Sequence, residues 1–280
     1  MQIIRSISRL RKKIKPLKQK NSIGFVPTMG ALHEGHLSLL RRARRENGIT
    51  ILSIFVNPAQ FGPKEDFSTY PRPENKDILL AKKENVDIIF YPSAEEMYPA
   101  GFLTFIEAEN ISQILCGQSR PSHFRGVTTV VGKLLNLIAP DKMYLGQKDA
   151  QQAFILKKMA EDLNYDVKVV ICPTRRDKDG LALSSRNQYL TGVERKEAPI
   201  IYNSLRSAKL RSDHGEKSAA KIKEHIRKNI QKHSTSQIDY IECVDAATLG
   251  AVRKLQGKIM IAVAVRFGKT RLIDNIIFNA

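Results

Sequence analysis

Through residue 172 the chain alternates short apolar runs with segments whose apolar residues recur every three or four positions. The runs at 22–27 (SIGFVP), 49–56 (ITILSIFV), 86–91 (VDIIFY), 142–145 (KMYL) and 167–172 (VKVVIC) are short and rich in β-branched or aromatic residues, which predicts strands. Between them, 31–45 sets Leu32, Leu39, Leu40 and Ala43 among charges, and 76–85, 127–138 and 150–163 also read as helices. This alternation predicts an α/β fold, a Rossmann-like parallel sheet with helices on both faces. After Pro173 the pattern changes. Residues 174–187 read as a polar loop, 194–210 and 217–232 as helices, 239–244 and 258–265 as strands, and 271–278 as a last apolar segment. A smaller α+β domain is expected there, so the boundary falls between 1–174 and 175–280, with a cleft between the domains as the expected site.

Composition narrows the class. At 280 residues and 42% hydrophobic, the chain has enough apolar surface for a packed core. No apolar stretch approaches the roughly 20 residues that span a bilayer, so no membrane association is expected. Residues 1–20 are basic but lack the apolar core of a secretory signal. Three separated cysteines, with no C-x-x-C pair, fit reduced thiols in a cytoplasmic protein better than a disulfide framework.

A net charge of +18 invites a nucleic-acid reading, but its distribution weakens it. Residues 1–174 carry 25 basic and 17 acidic side chains, and residues 175–280 carry 21 and 11, so the excess is spread over both halves. Arg41, Arg42, Arg44 and Arg45 cluster, yet no aromatic residues are interleaved with the basic runs as a stacking platform requires. A solvated basic surface that also favours anionic small substrates is the better reading, and no nucleic-acid partner is expected.

Three stretches carry candidate chemistry. PTMGALHEGH (27–36) follows a buried strand and turns into a helix near His33. Free N–H groups and the positive helix end at such a junction favour a phosphate. His33 and His36 stand three apart on one helical face. A zinc site remains the rival, but its usual helical spacing is i, i+4 with a Glu between. GQKD (146–149) also leaves the carboxyl end of a strand, the edge where open α/β sheets bind ligands. Lys148 suits a phosphate there and Asp149 a ribose, against the plainer reading of a polar turn. DGLALSSRN (179–187) offers the hydroxyls of Ser184 and Ser185 and the Arg186 fork, a polyphosphate chelate on a loop able to close. Alone, Ser-Ser-Arg is commonplace.

Taken in order, PTMGALHEGH, FVNPAQFGP (55–63), SRPSHFRGV (119–127), GQKDAQQ (146–152) and DGLALSSRN closely resemble the pantothenate synthetase (pantoate–β-alanine ligase) family of the nucleotidylyltransferase superfamily. The likeness runs from about residue 22 to 190 and resumes at DYIECVD and TRLIDN (270–275). It implies an AMP-forming ligase of pantothenate and coenzyme A biosynthesis that joins pantoate to β-alanine through a pantoyl adenylate, with ATP and Mg²⁺, as a cytoplasmic homodimer. It implies a nucleotide- and pantoate-binding domain over 1–174, and a domain over 175–280 that closes over the active site.

Residue by residue, the resemblance carries ATP contacts onto Met29, Gly30, Ala31, Leu32, His33, Glu34, Gly35 and His36, with His36 as proton donor. It carries further ATP contacts onto Gly146, Gln147, Lys148, Asp149, Arg175, Leu183, Ser184, Ser185 and Arg186. Gln60 falls where pantoate and β-alanine are held, Gln152 where pantoate is held, and Asp77 at an acidic metal helper. His33, His36 and Lys148 make up the expected catalytic set. Four positions depart from the family pattern. Gln147 stands for a Glu, Arg175 for a small apolar residue, Asp177 for a Glu, and Lys76 where some members carry an acid. A nucleotidyltransferase that stops at nucleotide transfer, and an RNA-binding protein on a synthetase-like fold, are the alternatives.

Overall fold

The structure is a computed structural model that describes residues 1–63 and 65–280. The chain divides into two compact units, one of Met1–Gln147 with Gln151–Pro173 and one of Lys148–Ala150 with Thr174–Ala280.

The first unit is a doubly covered parallel sheet. In chain order it comprises β1 (Gln2–Ile4), α1 (Ile7–Lys18), β2 (Ile23–Thr28), α2 (Glu34–Glu46), β3 (Ile49–Ile54), α3 (Glu74–Lys83) and β4 (Ile88–Phe90). The short helices α4 (Ala94–Met97) and α5 (Cys116–Ser119) precede α6 (His123–Ile138), β5 (Lys142–Gly146), α7 (Ala150–Asp162) and β6 (Lys168–Cys172). All strand pairings are parallel, in the order β1-β4-β3-β2-β5-β6. Side chains alternate faces along each strand. Phe25, Ile51, Ile88 and Met143 pack beneath α1, α6 and α7, where Leu10, Ile14, Leu134, Leu156 and Met159 meet them. Their chain neighbours Val26, Leu52, Ile89 and Tyr144 face α2 and α3, against Leu37, Leu40, Ala43 and Ala81. The Rossmann-like sheet with helices on both faces is therefore present, with the predicted strands and helices shifted at their ends by a few residues.

Helix α1, strand β1 and the short helices α4 and α5 lie outside the predicted set. Helix α1 sets Ile7, Leu10, Ile14 and Leu17 on one stripe against the sheet, within a run otherwise made mostly of Arg and Lys. Strand β1 is three residues long and completes the edge beside β4.

The second unit carries α8 (Gly192–Glu197), α9 (Ile200–Asp213), α10 (Ala219–Ile230) and an antiparallel meander of β7 (Ser236–Asp245), β8 (Lys258–Phe267) and β9 (Thr270–Asn279). Ile201, Leu205, Ala208, Ile222 and Ile226 form one core with Ile241, Ile259, Ile261 and Val263 of the sheet. The single helix expected over 194–210 is two. Pro199 stands at the N-cap of α9, where its missing N–H interrupts the hydrogen-bond ladder. Thr191 and Glu194 close a reciprocal capping box at the start of α8. The 174–187 stretch is more ordered than a polar loop. It pairs Arg176 with Ala182 in an antiparallel bridge and enters a 3-10 turn at Ser185–Tyr189.

Among the described residues, no helix is long and apolar enough to cross a membrane. Three arginines of the α2 cluster are ion-paired: Arg41 with Glu34 and Glu84, Arg42 with Glu46, and Arg44 with Asp87.

Candidate active site

In the first unit, strand order reverses between β2 and β5, the adjacent strands from which chain leaves toward opposite sides of the sheet. Crevices of this kind, beyond the carboxyl ends of the strands, are where open α/β sheets take ligands. Strand β2 ends at Thr28 and β5 at Gly146, so the segments that follow both leave from this edge.

The segment after β2 turns sharply. Gly30 has φ +85° and Ala31 φ +51°, both in the left-handed region. A Cβ on Gly30 would lie 2.9 Å from Asp77 Oδ2 and 3.0 Å from Ile54 Cγ2, so conformation and space both favour glycine. Asp77 holds the turn. It is 1% exposed, its Oδ2 accepts the Ala31 N–H at 2.8 Å, and its Oδ1 accepts the Leu32 N–H at 2.7 Å. Burial pushes this carboxyl up, and the two N–H donors pull it back. The resemblance placed Asp77 beside a metal; the structure engages both of its oxygens with the loop backbone. Among the described residues, no three His, Cys, Asp or Glu cluster as metal ligands.

His33 is the N-cap of α2, and His36 lies one turn into the helix. Nδ1 of His33 accepts the Gly35 N–H at 3.1 Å, and Nδ1 of His36 accepts the His33 N–H at 3.4 Å, a capping box built from two imidazoles. The rings lie 4.1 Å apart between centroids. An Nδ1 that accepts carries no proton, so each neutral ring bears its proton on Nε2, as a donor. Paired donors at a helix N-terminus suit an oxyanion.

Gln60 belongs to the same unit and is 7% exposed. Its Nε2 donates to Met29 Sδ at 3.1 Å, so the Gln60 amide meets the segment after β2 directly. Asn57 Nδ2 donates to Gln60 Oε1 at 3.1 Å and to the Gly126 carbonyl at 3.0 Å. Helix α6 passes close enough that a Cβ on Gly126 would overlap the Ala59 backbone. The Gln60 carbonyl accepts from Arg120 at 3.3 Å and lies 2.9 Å from His123 Nδ1, while Arg120 pairs with Glu65. Burial alone raises the Glu65 carboxyl, but the Arg120 guanidinium prevails and holds it below its ordinary range. Motif reading singled out Gln60 but assigned no role to Asn57, Glu65, Arg120 or His123. Asn57, Arg120 and His123 lie within FVNPAQFGP and SRPSHFRGV, and Glu65 two residues past the first.

Gln151 and Gln152 separate cleanly. Gln151 is buried, its Nε2 donating to the Ile111 and Ile114 carbonyls and its Oε1 accepting the Cys116 N–H. Gln152, the expected pantoate residue, is half-buried at the next position.

Of the other expected ATP residues, Gly146 and Gln147 belong to the first unit, and Lys148, Asp149, Arg175, Leu183, Ser184, Ser185 and Arg186 belong to the second. Gln147–Asp149 form a 3-10 turn after Gly146, and Lys148 Nζ lies 3.6 Å from Asp149. Lys148 and Ser184 line a small hollow together with Leu181, Tyr202, Leu272 and Asp274. Ser184 caps the following turn, its Oγ accepting the Arg186 N–H at 3.3 Å, and Leu183, Ser185 and Arg186 are half-buried beside it. Arg175 is exposed, and its carbonyl accepts the Leu183 N–H at 2.9 Å.

Comparison with known proteins gives one answer along the chain. Residues 2–277 match the family described as pantoate-beta-alanine ligase. Pantothenate synthetase of Caldicellulosiruptor bescii is 52% identical over 280 residues, covering 100% of this chain and 99% of the relative. The Thermotoga neapolitana pantothenate synthetase is 53% identical and covered in full. Among solved structures, pantothenate synthetase from Thermus thermophilus superimposes with a TM-score of 0.94 at 41% identity, covering 99% of both chains. The Francisella tularensis pantoate-beta-alanine ligase, solved with β-γ ATP and β-alanine, gives 0.82 at 39% identity, covering 99% of this chain and 97% of that one. With its parallel sheet, its paired histidines after β2 and a match from end to end, this chain belongs to the pantoate–β-alanine ligase family.

Proposed function

We infer that the chain joins pantoate to β-alanine at the expense of ATP, giving pantothenate, AMP and pyrophosphate. The observation that carries the reading is the family match over residues 2–277.

The reaction runs in two displacements. A pantoate carboxylate oxygen forms a bond to the α-phosphorus of ATP, the bond to the bridging oxygen breaks, and pyrophosphate leaves. The β-alanine amine then adds to the acyl carbon of pantoyl adenylate, the bond to the phosphate oxygen breaks, AMP leaves, and the amine loses a proton.

His33 and His36 present Nε2–H donors to phosphate oxygens, where charge grows during the first displacement. Lys148 and the Ser184, Ser185 and Arg186 group add a cation and a guanidinium fork for the phosphates. Met29, Gly30, Ala31, Leu32, Glu34, Gly35, Gly146, Gln147, Asp149, Arg175 and Leu183 complete the ATP contacts. Gln60 and Gln152 hold pantoate through neutral amides, which orient its oxygens without drawing off the charge that makes the carboxylate a nucleophile.

Mg²⁺ accompanies ATP. Its ligands would come chiefly from phosphate oxygens and water. When bound it neutralises phosphate charge. Homodimerisation and a cytoplasmic location complete the proposal; light scattering at twice the 31.6 kDa chain mass tests the first.

The deciding experiment is exchange of labelled pyrophosphate into ATP with Mg²⁺ and without β-alanine. Exchange that requires pantoate establishes reversible adenylate formation, and added β-alanine then yields AMP and pantothenate. No exchange, with no pantothenate from the full substrate set, overturns the reading.

A further inference from the structure

The TRLIDN segment recurs in the family resemblance but has no part in the reaction as described. It lies in β9, and two of its side chains reach Arg176, ahead of the Ser184–Arg186 segment, and the main chain of Lys148. Asp274 is 4% exposed and accepts a two-pronged contact from Arg176, at 2.5 Å from Nη1 and 3.0 Å from Nη2. Burial pushes this carboxyl up, and the guanidinium and the Asn275 N–H oppose the shift. Arg176 is fixed on its other sides as well. Its guanidinium lies 3.6 Å over the Tyr202 ring, Nη1 donates to the Gly180 carbonyl at 3.2 Å, and its backbone pairs with Ala182. The segment that carries Ser184 and Arg186 is therefore tied to β9 at its base.

Asn275, the next residue, is 4% exposed and donates from Nδ2 to the main-chain carbonyl of Lys148 at 3.0 Å. Its own N–H donates to Asp274 Oδ1 at 2.8 Å, which couples the two side chains. One strand thus holds the Lys148 backbone through one residue and the serine–arginine segment through its neighbour. Lys148, Ser184 and Asp274 line the same hollow.

We propose that Asp274 and Asn275 are positioning residues that set the spacing between Lys148 and the Ser184–Arg186 segment for the polyphosphate of ATP. The proposal rests on the reading above, in which both groups bind ATP. Neither residue needs to touch the nucleotide. Misplacing a binding group by about 1 Å lowers reactivity by up to about a hundred-fold.

The test is a double-substitution cycle on the full chain. Asn275→Ala, Asp274→Asn, Lys148→Ala and Asn275→Ala with Lys148→Ala are compared for the KM of ATP, pantoate and β-alanine, for kcat and for melting temperature. Asn275→Ala removes one side-chain donor and remains informative if Asp274→Asn, which leaves Arg176 without its anionic partner, fails to fold. Asn275→Ala should raise the ATP KM by between about ten-fold and a hundred-fold and leave the other two KM values unchanged. In the Lys148→Ala background the same substitution should add nothing, because the group it positions is gone. Multiplicative effects, or equal losses on all three substrates, would show Asn275 to be purely structural and overturn the proposal. If Lys148→Ala changes the ATP KM but Asn275→Ala does not, the positioning role alone falls. An unchanged ATP KM in Lys148→Ala removes the assignment of Lys148 and the proposal with it.

Discussion

Asp77 accepts the Leu32 N–H at 2.7 Å, tying α3 to the turn that precedes the paired histidines. The contact spans 45 residues of sequence and, with the Ala31 N–H on the other oxygen, makes the turn depend on a helix far from it in the chain. In Asp77→Asn, an amide donor replaces one oxygen and opposes a backbone N–H. A buried hydrogen bond to a charged group is worth about 1.5–3 kcal/mol, and the variant should lose about that much in urea denaturation. The ATP KM should rise with it. Wild-type ATP kinetics in a destabilised variant would separate the anchor from the site.

Adjacent glutamines should behave differently. Gln152→Ala is expected to raise the pantoate KM with little change in melting temperature. Gln151→Ala removes the partner of three main-chain groups and should lower stability without selective loss of pantoate. Steady-state kinetics and melting curves for the two variants decide this, and unchanged pantoate kinetics in Gln152→Ala removes its assignment.

The two histidines also divide by role. His36→Ala deletes a long 3.4 Å hydrogen bond and the ring contact with His33 but leaves the His33 N-cap in place, so α2 should persist while pyrophosphate exchange falls by about a hundred- to a thousand-fold. His33→Ala removes the N-cap as well, which is worth about 0.5–2 kcal/mol. Exchange rates and melting temperatures of the pair should show activity loss alone for the first variant and both losses for the second.

The sheet and its helices were legible because their signal is local. Ile51 and Leu52, or Ile88 and Ile89, alternate faces within one short run, and α6 repeats its apolar stripe over several turns. Helix α1 is outside the predicted set although Ile7, Leu10, Ile14 and Leu17 have helical spacing, because residues 1–20 read only as a basic run without a signal core. The paired histidines and the three loop motifs were visible as strings. Their supports were not. Asp77 with Leu32, Asp274 with Arg176 and Asn275 with Lys148 are joined only by folding, across 45, 98 and 127 residues, and no periodicity encodes such a pairing.

Glu46 gives the first unit a measurable acid dependence. The Arg42 guanidinium, with the Tyr144 hydroxyl and Lys142, holds its carboxyl down at about 2, against burial that would raise it. A carboxyl with a lowered folded-state pKa adds stability above its unfolded value of 4.5, and that contribution is lost as pH falls toward 2. Glu46→Gln should therefore be less stable than wild type at pH 7, with the difference shrinking below pH 4.5. A pH series of urea midpoints tests this; a constant difference from pH 7 to pH 3 contradicts it.

The pairing of β1 with β4 aligns Gln2 with Ile88, so the earliest strand in the chain docks on a neighbour made 86 residues later. On the ribosome, those first residues and the apolar stripe of α1 must wait while β2, α2 and β3 are synthesised. A parallel sheet built this way assembles late and together. The meander of β7, β8 and β9 instead joins strands that follow one another, so each can pair as soon as its neighbour emerges. The first strand to be made is thus not the first to pair.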